Sequence, residues 1–159
     1  MTTVQVRSLA DVSYAQVQEV ARLIPDAVAD VCPGVAANVL KAVNGITGAV
    51  TGLVPSAFFC VALTDEEVAG FFGGVLESDV FSDRVFARDV LAWVRPSARG
   101  TTAYHDMVEA FEQWSVDKGA QEVRGILLTD QETNERIAHA SERYGYQRAG
   151  IVLVKKVSP

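Results

Sequence analysis

Three strand-like apolar runs follow one another between Ala57 and Val94, and the hydrophobic period then becomes helical. Ala57–Thr64 is a short apolar run. The turn Asp65-Glu66-Glu67 leads into Val68–Leu76, which the short connection predicts to run antiparallel to it. Arg84–Val94 is the third run, with Val85, Ala87, Leu91 and Trp93 as inward candidates. Pro96 stops it, because proline cannot donate to a sheet ladder. From Thr101 to Lys118, the residues Ala103, Met107, Ala110, Phe111 and Trp114 recur at helical spacing, and Gly119 is the expected cap.

The flanks complete the order. Val4 and Val6 share one face of Thr2–Leu9, a strand signal of period two. Asp11 or Ser13 can cap a helix with Tyr14, Val17, Val20, Ala21 and Ile24 on one side, and Pro25 ends it or starts the next turn. Ala27–Gly45 is a second helical region, interrupted by Pro33–Gly34, with Val35, Val39, Leu40 and Val43 as its stripe. Val123–Leu128, apolar apart from Arg124, suits a strand covered on both faces. Thr133 or Asn134 opens a helix through Ile137, Ala138 and Tyr144 that Gly145 ends, and Ala149–Val157 is a last strand. The pattern predicts a mixed α/β (α+β) sheet rather than a doubly wound one. No repeat or linker divides the 159 residues, so one domain, 1–159, is expected.

Composition narrows the function classes. At 49% hydrophobic and 21% charged residues the chain matches soluble globular proteins and excludes a disordered one. Fourteen Lys and Arg against twenty Asp and Glu leave a net charge of -6. Proteins that grip nucleic-acid phosphates carry basic patches, so tight unaided nucleic-acid binding is not expected. An acidic balance suits an amine-bearing partner. Cys32 and Cys60 sit in apolar surroundings and read as buried thiols of a reducing compartment. No His lies near either one, so no zinc or other metal site is expected. The first residues lack a basic segment followed by an apolar core, and Gly45–Leu63 is broken by Gly48, Gly52 and Pro55. A soluble cytoplasmic protein without leader or membrane span is expected.

Val94–Tyr104 (VRPSARGTTAY) carries the chemical suggestion. A strand ends, a loop passes through Arg99-Gly100, and a helix begins. The helix start offers backbone N–H groups and the positive end of the dipole. Gly100 allows close backbone approach, and Arg99 supplies charge suited to phosphate oxygens. Together they make a candidate pyrophosphate cradle. An ordinary strand-to-helix turn with a capping threonine has the same pattern.

The string V-x-P-x-x-R-G before an amphipathic helix resembles motif A of the GCN5-related N-acetyltransferase (GNAT) family. Downstream, Asn134, Ser141 seven residues on, and Tyr144-Gly145-Tyr146 are similar to the family's motif B region, N-x-x-A-x-x-x-Y-x-x-x-G-F/Y. The resemblance covers about residues 57–157 and preserves the order of elements, including two N-terminal helices that usually shape the acceptor site. DVLAWVRP and FEQWSVDKGA look most like acetyltransferases encoded by bacteriophages, which would place the protein in a host cytoplasm.

The resemblance implies a GNAT-like, mostly antiparallel central sheet flanked by helices. It implies direct transfer of an acetyl group from acetyl-CoA to a small-molecule or macromolecular amine, without a metal, by a protein that can be a homodimer. Val94, Arg99, Gly100, Thr101, Thr102, Ala103, Tyr104 and Asn134 would bind the cofactor. The backbone N–H near Val94 would also donate to the carbonyl oxygen. Asp89 would be the base, and Ser141 or Tyr144 the proton donor to the thiolate. Glu77, Asp79 and His105 are alternative bases, while Asp89 can also be a solvated or salt-bridged partner of Arg88. The chain departs from the family's R-G-x-G-x-G/A with Thr102 and Tyr104 at the later glycine positions, and Ser141 stands where many members have tyrosine. A noncatalytic module of the same fold is the competing expectation.

Overall fold

The computed structural model describes residues 3–127 and 129–157. It comprises two compact units, Met1–Ile126 and Leu127–Pro159. The first unit holds a five-stranded sheet in the order β1 (Val4–Ser8), β2 (Ala57–Thr64), β3 (Glu67–Ser78), β4 (Val85–Val94), β5 (Glu122–Arg124). Successive pairs are antiparallel except β4–β5, which is parallel. This is the mixed, mostly antiparallel sheet expected. Asp65 and Glu66 turn the β2–β3 hairpin with φ of 51° and 65°, the twist that a two-residue loop needs to match its strands.

Alternation along the strands builds two cores. Phe59, Val61, Leu63, Phe71 and Trp93 face α1 (Tyr14–Val31) and α2 (Val39–Val50). Phe58, Cys60, Ala62, Phe72 and Ala87 face α3 (Ala103–Asp117), which contributes Met107, Phe111 and Trp114. Gly74 lets α3 come close: a Cβ there would stand 2.3 Å from the Phe111 ring.

Of the two caps that the sequence offers, Ser13 closes α1, in a capping box with Gln16. Other expectations need correction. The helix does not stop at Pro25 but runs through it to Val31. Pro25 is exposed, so water can satisfy the carbonyl its missing N–H abandons, while Ile24 and Ala27 anchor the helix on the buried side. The second helix accordingly begins late, at Val39, capped by Asn38. Cys32 follows the end of α1 and is exposed; only Cys60 is buried.

β5 is cut to three residues, ending at Arg124 rather than Leu128, which lies outside the described residues. In the second unit, α4 spans Gln131–Glu142 and is capped by Asp130, whose carboxylate accepts the Thr133 N–H at 2.9 Å. Residues 149–157 form no strand, and Ile151, Leu153 and Val154 are exposed. Apolar alternation supplies propensity, but a strand forms only where a neighbour takes its hydrogen bonds. Among the described residues, no helix is long and apolar enough to cross a membrane.

Candidate active site

β4 and β5 pair over Phe86–Arg88 and Glu122–Arg124, and then part. At the fork, Asp89 Oδ1 accepts the Ile126 N–H at 3.0 Å, so a side chain takes an amide that would otherwise extend the ladder. Next to it the β3–β4 register shifts: Gly74 faces Asp89 and Gly73 faces Leu91, leaving Val90 as a bulge. Asp89 therefore shares the sheet face of Ala87, the face that α3 covers. Burial pushes its carboxyl above the ordinary 3.8, against the opposing pull of the Ile126 amide and Arg88. Tyr104, on the first turn of α3, senses this carboxylate: burial first and the Asp89 charge second push its phenol up to about 12.

The Arg88 guanidinium pairs with Glu77 at 2.7 Å and reaches only the Asp89 backbone carbonyl. The Arg88 bond holds Glu77 below the usual carboxylate range. The Phe81 amide, and then Arg84, do the same for Asp79. Both are weaker bases for it, whereas desolvated Asp89 is a stronger one. His105 approaches Glu109 at 3.7 Å, one turn along α3.

The cradle segment leaves β4 through a single 3-10 turn, Pro96–Ala98, and Gly100 adopts φ +90°, a value that favours glycine. The Ala103 amide donates to Thr101 Oγ1 at 3.3 Å, and the Thr102 hydroxyl donates to Asp106 at 2.7 Å. The amides of Thr102 and Tyr104 have no partner among the described residues. Arg95 N–H donates to Ala69 O at 2.8 Å, so strand alternation turns the Val94 N–H toward the edge that β5 leaves open. Free amides at the positive end of a helix suit phosphate oxygens, so the backbone here fits a pyrophosphate.

Arg99 is already engaged. Its Nε donates to Val94 O at 3.1 Å, and its Nη2 pairs with Asp30 of α1. Asp30 also accepts the Trp93 indole N–H at 3.0 Å. A cavity of about 620 Å³ opens here, lined by Leu23, Asp26, Asp30, Trp93, Arg95 and Pro96. Arg95 in turn pairs with Glu19 at 3.4 Å, and Glu19 also accepts the Val68 N–H at 3.0 Å, tying α1 to the sheet. Sequence reasoning missed Asp26 and Asp30. Their i,i+4 spacing places them on one helix face, but only if the helix continues past Pro25.

The remaining site candidates lie in the second unit. Asn134 spends its side chain locally: Oδ1 accepts from the Thr129 hydroxyl at 2.8 Å and its amide at 3.1 Å, and Nδ2 donates to Thr129 O at 3.3 Å. Ser141 lies in the last turn of α4, and its carbonyl accepts the amides of Tyr144 and Tyr146. Tyr144 follows the helix and is 57% exposed. Among the described residues no group of three or more His, Cys, Asp or Glu is placed to hold a metal ion.

No family model matches the sequence, and no curated protein matches it. Solved structures do. An aminoglycoside acetyltransferase AAC(6')-Iy, in complex with a CoA-linked bisubstrate analogue, superimposes with a TM-score of 0.74 at 13% identity, over 99% of both chains. The ribosomal-protein-alanine N-acetyltransferase of Brucella melitensis biovar Abortus 2308 gives 0.72 at 11%, over 98% of this chain and 100% of that one. An aminoglycoside acetyltransferase from an uncultured soil metagenomic sample, in complex with trehalose, gives 0.70 at 13%, over 98% and 97%. At such identities the likeness is one of fold: this chain has the mixed α/β fold of these acetyltransferases.

Proposed function

We propose that this protein is an N-acetyltransferase that moves an acetyl group from acetyl-CoA to an amine by direct transfer. The observation that carries the reading is the fork after Arg88 and Arg124, with the desolvated Asp89 carboxyl on the sheet face that α3 covers and, at the start of that helix, amides without a partner among the described residues. The fold shared with acetyltransferases supports it. Acetyl-CoA supplies the acetyl thioester. Thr102 and Tyr104 N–H groups bind its pyrophosphate, and the Gly100 turn keeps the backbone open to it. The Val94 N–H donates to the carbonyl oxygen under attack. Asp89 takes the amine proton, its raised pKa making it a better base than an exposed aspartate. The roles of Asn134 at the cofactor and of Ser141 or Tyr144 at the thiolate rest on the sequence motif they form.

Calorimetric titration with acetyl-CoA tests the cofactor half, and no heat at millimolar ligand would sink it. Counting acetylated product by mass spectrometry tests the chemistry. Asp89→Asn is expected to lower turnover by about 100-fold or more while binding persists. A thiol-reactive dye is a poor choice of assay, because Cys32 is exposed.

One pair of observations favours a second reading, a noncatalytic module: Tyr104 occupies a position the family keeps small, and Arg99 is held by Asp30 and Val94. Cofactor binding with no turnover on any amine, unchanged by Asp89→Ala, would support that reading.

A further inference from the structure

Asp30, one residue before the end of α1, touches two places at once. Its carboxylate accepts the Trp93 indole N–H and holds the Arg99 guanidinium. Arg99 belongs to the turn that leads to the start of α3. Asp30 and Trp93 belong to the wall of the 620 Å³ cavity, with Asp26 one helical turn earlier on the same wall. The guanidinium is thus a cation already seated on an acid of that cavity. Both partners stay open to solvent, with side chains 50% and 41% exposed. Such pairs are weakly held and screened by salt, so a better partner displaces either member. A pyrophosphate is such a partner for Arg99, since it carries more charge than one carboxylate and accepts the guanidinium fork in bidentate fashion.

We propose that Asp30 is a specificity-determining residue for a polycationic amine acceptor, masked by Arg99 until an anion bound at the start of α3 draws the guanidinium away. The proposal rests on the acetyltransferase reading, because the anion is then the cofactor. Once released, Asp30 and Asp26 offer negative charge to an ammonium in the cavity, and the Trp93 N–H keeps the Asp30 carboxylate oriented. The amine that reacts must be neutral, whereas the group held by Asp26 and Asp30 must be charged. The acceptor class therefore carries at least two amino groups, one to be anchored and one to be acetylated. Cofactor and acceptor binding are coupled, each tightening the other by the same factor.

The test measures CoA binding by calorimetry at low salt, using wild type, Asp30→Asn, Arg99→Gln and the double variant, with and without 1,4-diaminobutane. Asp30→Asn is expected to tighten CoA about 5-fold by freeing Arg99, and the gain should vanish in the Arg99→Gln background. The diamine should tighten CoA on wild type by a similar factor and have no effect on Asp30→Asn, with propan-1-ol inert on both. Arg99→Gln reads the same pair from its other side and should bind the diamine without CoA. In ¹⁵N-labelled wild type, CoA should move the Trp93 indole N–H resonance; in Asp30→Asn it should not. Equal CoA binding by wild type and Asp30→Asn, or a diamine effect that survives Asp30→Asn, would overturn the proposal and leave the acetyltransferase reading standing. CoA binding by none of the four proteins would overturn that reading, and the proposal with it.

Discussion

The Asp89 carboxyl ends the β4–β5 pairing through Ile126 and is itself desolvated, so its proton affinity bears on stability as well as on chemistry. Its folded pKa lies above its ordinary value. Such a group contributes stability below the unfolded pKa and loses it as pH rises through the folded one. Asp89→Asn keeps an oxygen for the Ile126 amide but never pays the charge's desolvation. Urea denaturation should therefore find Asp89→Asn more stable than wild type at neutral pH, with the gap closing as pH falls toward about 4. A constant gap across that range would contradict the raised pKa. Asp89 was legible in the sequence as an acid on the strand before the cradle. That Arg88 would leave it for Glu77 was not, because the choice depends on which sheet face each side chain occupies.

The elements were read best where their signals are local. The Ser13–Gln16 capping box lies within four residues of chain, and Ser13→Ala should cost about 1 kcal/mol of stability in thermal denaturation. The hairpin of β2 and β3 and the helix α3 likewise follow from period and turn. Pro25 misled: an interior proline costs a helix about 3 kcal/mol through its ring clash and lost hydrogen bond, but the buried Val17, Val20, Ile24 and Ala27 anchor α1 on both sides of it. Gly74 gave no sign in the sequence of its importance. The Phe111 ring occupies the space of its missing side chain, and Gly74→Ala should destabilise by about 1–3 kcal/mol through that overlap. A variant as stable as wild type would mean that α3 shifts freely on the sheet. β5 shows the opposite limit: residues 126–127 continue its apolar run, yet the strand ends where Asp89 claims the Ile126 amide.

In the unit Met1–Ile126 one sheet separates two cores, that of α1 and α2 and that of α3. Ile24 belongs to the first and Met107 to the second, and both are buried. Ile24→Val should cost about 0.5–1.5 kcal/mol and Met107→Ala about 2–5 kcal/mol, and the double variant should equal their sum within about 0.5 kcal/mol. A larger departure, measured by denaturant titration, would show that the sheet transmits strain between its faces. The sequence alone determined the order of strands and helices through α3, because hydrophobic period, turns and caps are written in neighbouring residues. It also placed a strand end, a glycine turn and a helix start in succession between Val94 and Ala103. Only the tertiary structure decided where β5 parts from β4 and which acid meets Arg99. Asp30 lies 69 residues from its guanidinium partner, and that encounter depends on α1 running through Pro25 and on the register of β4, neither of which a local pattern encodes.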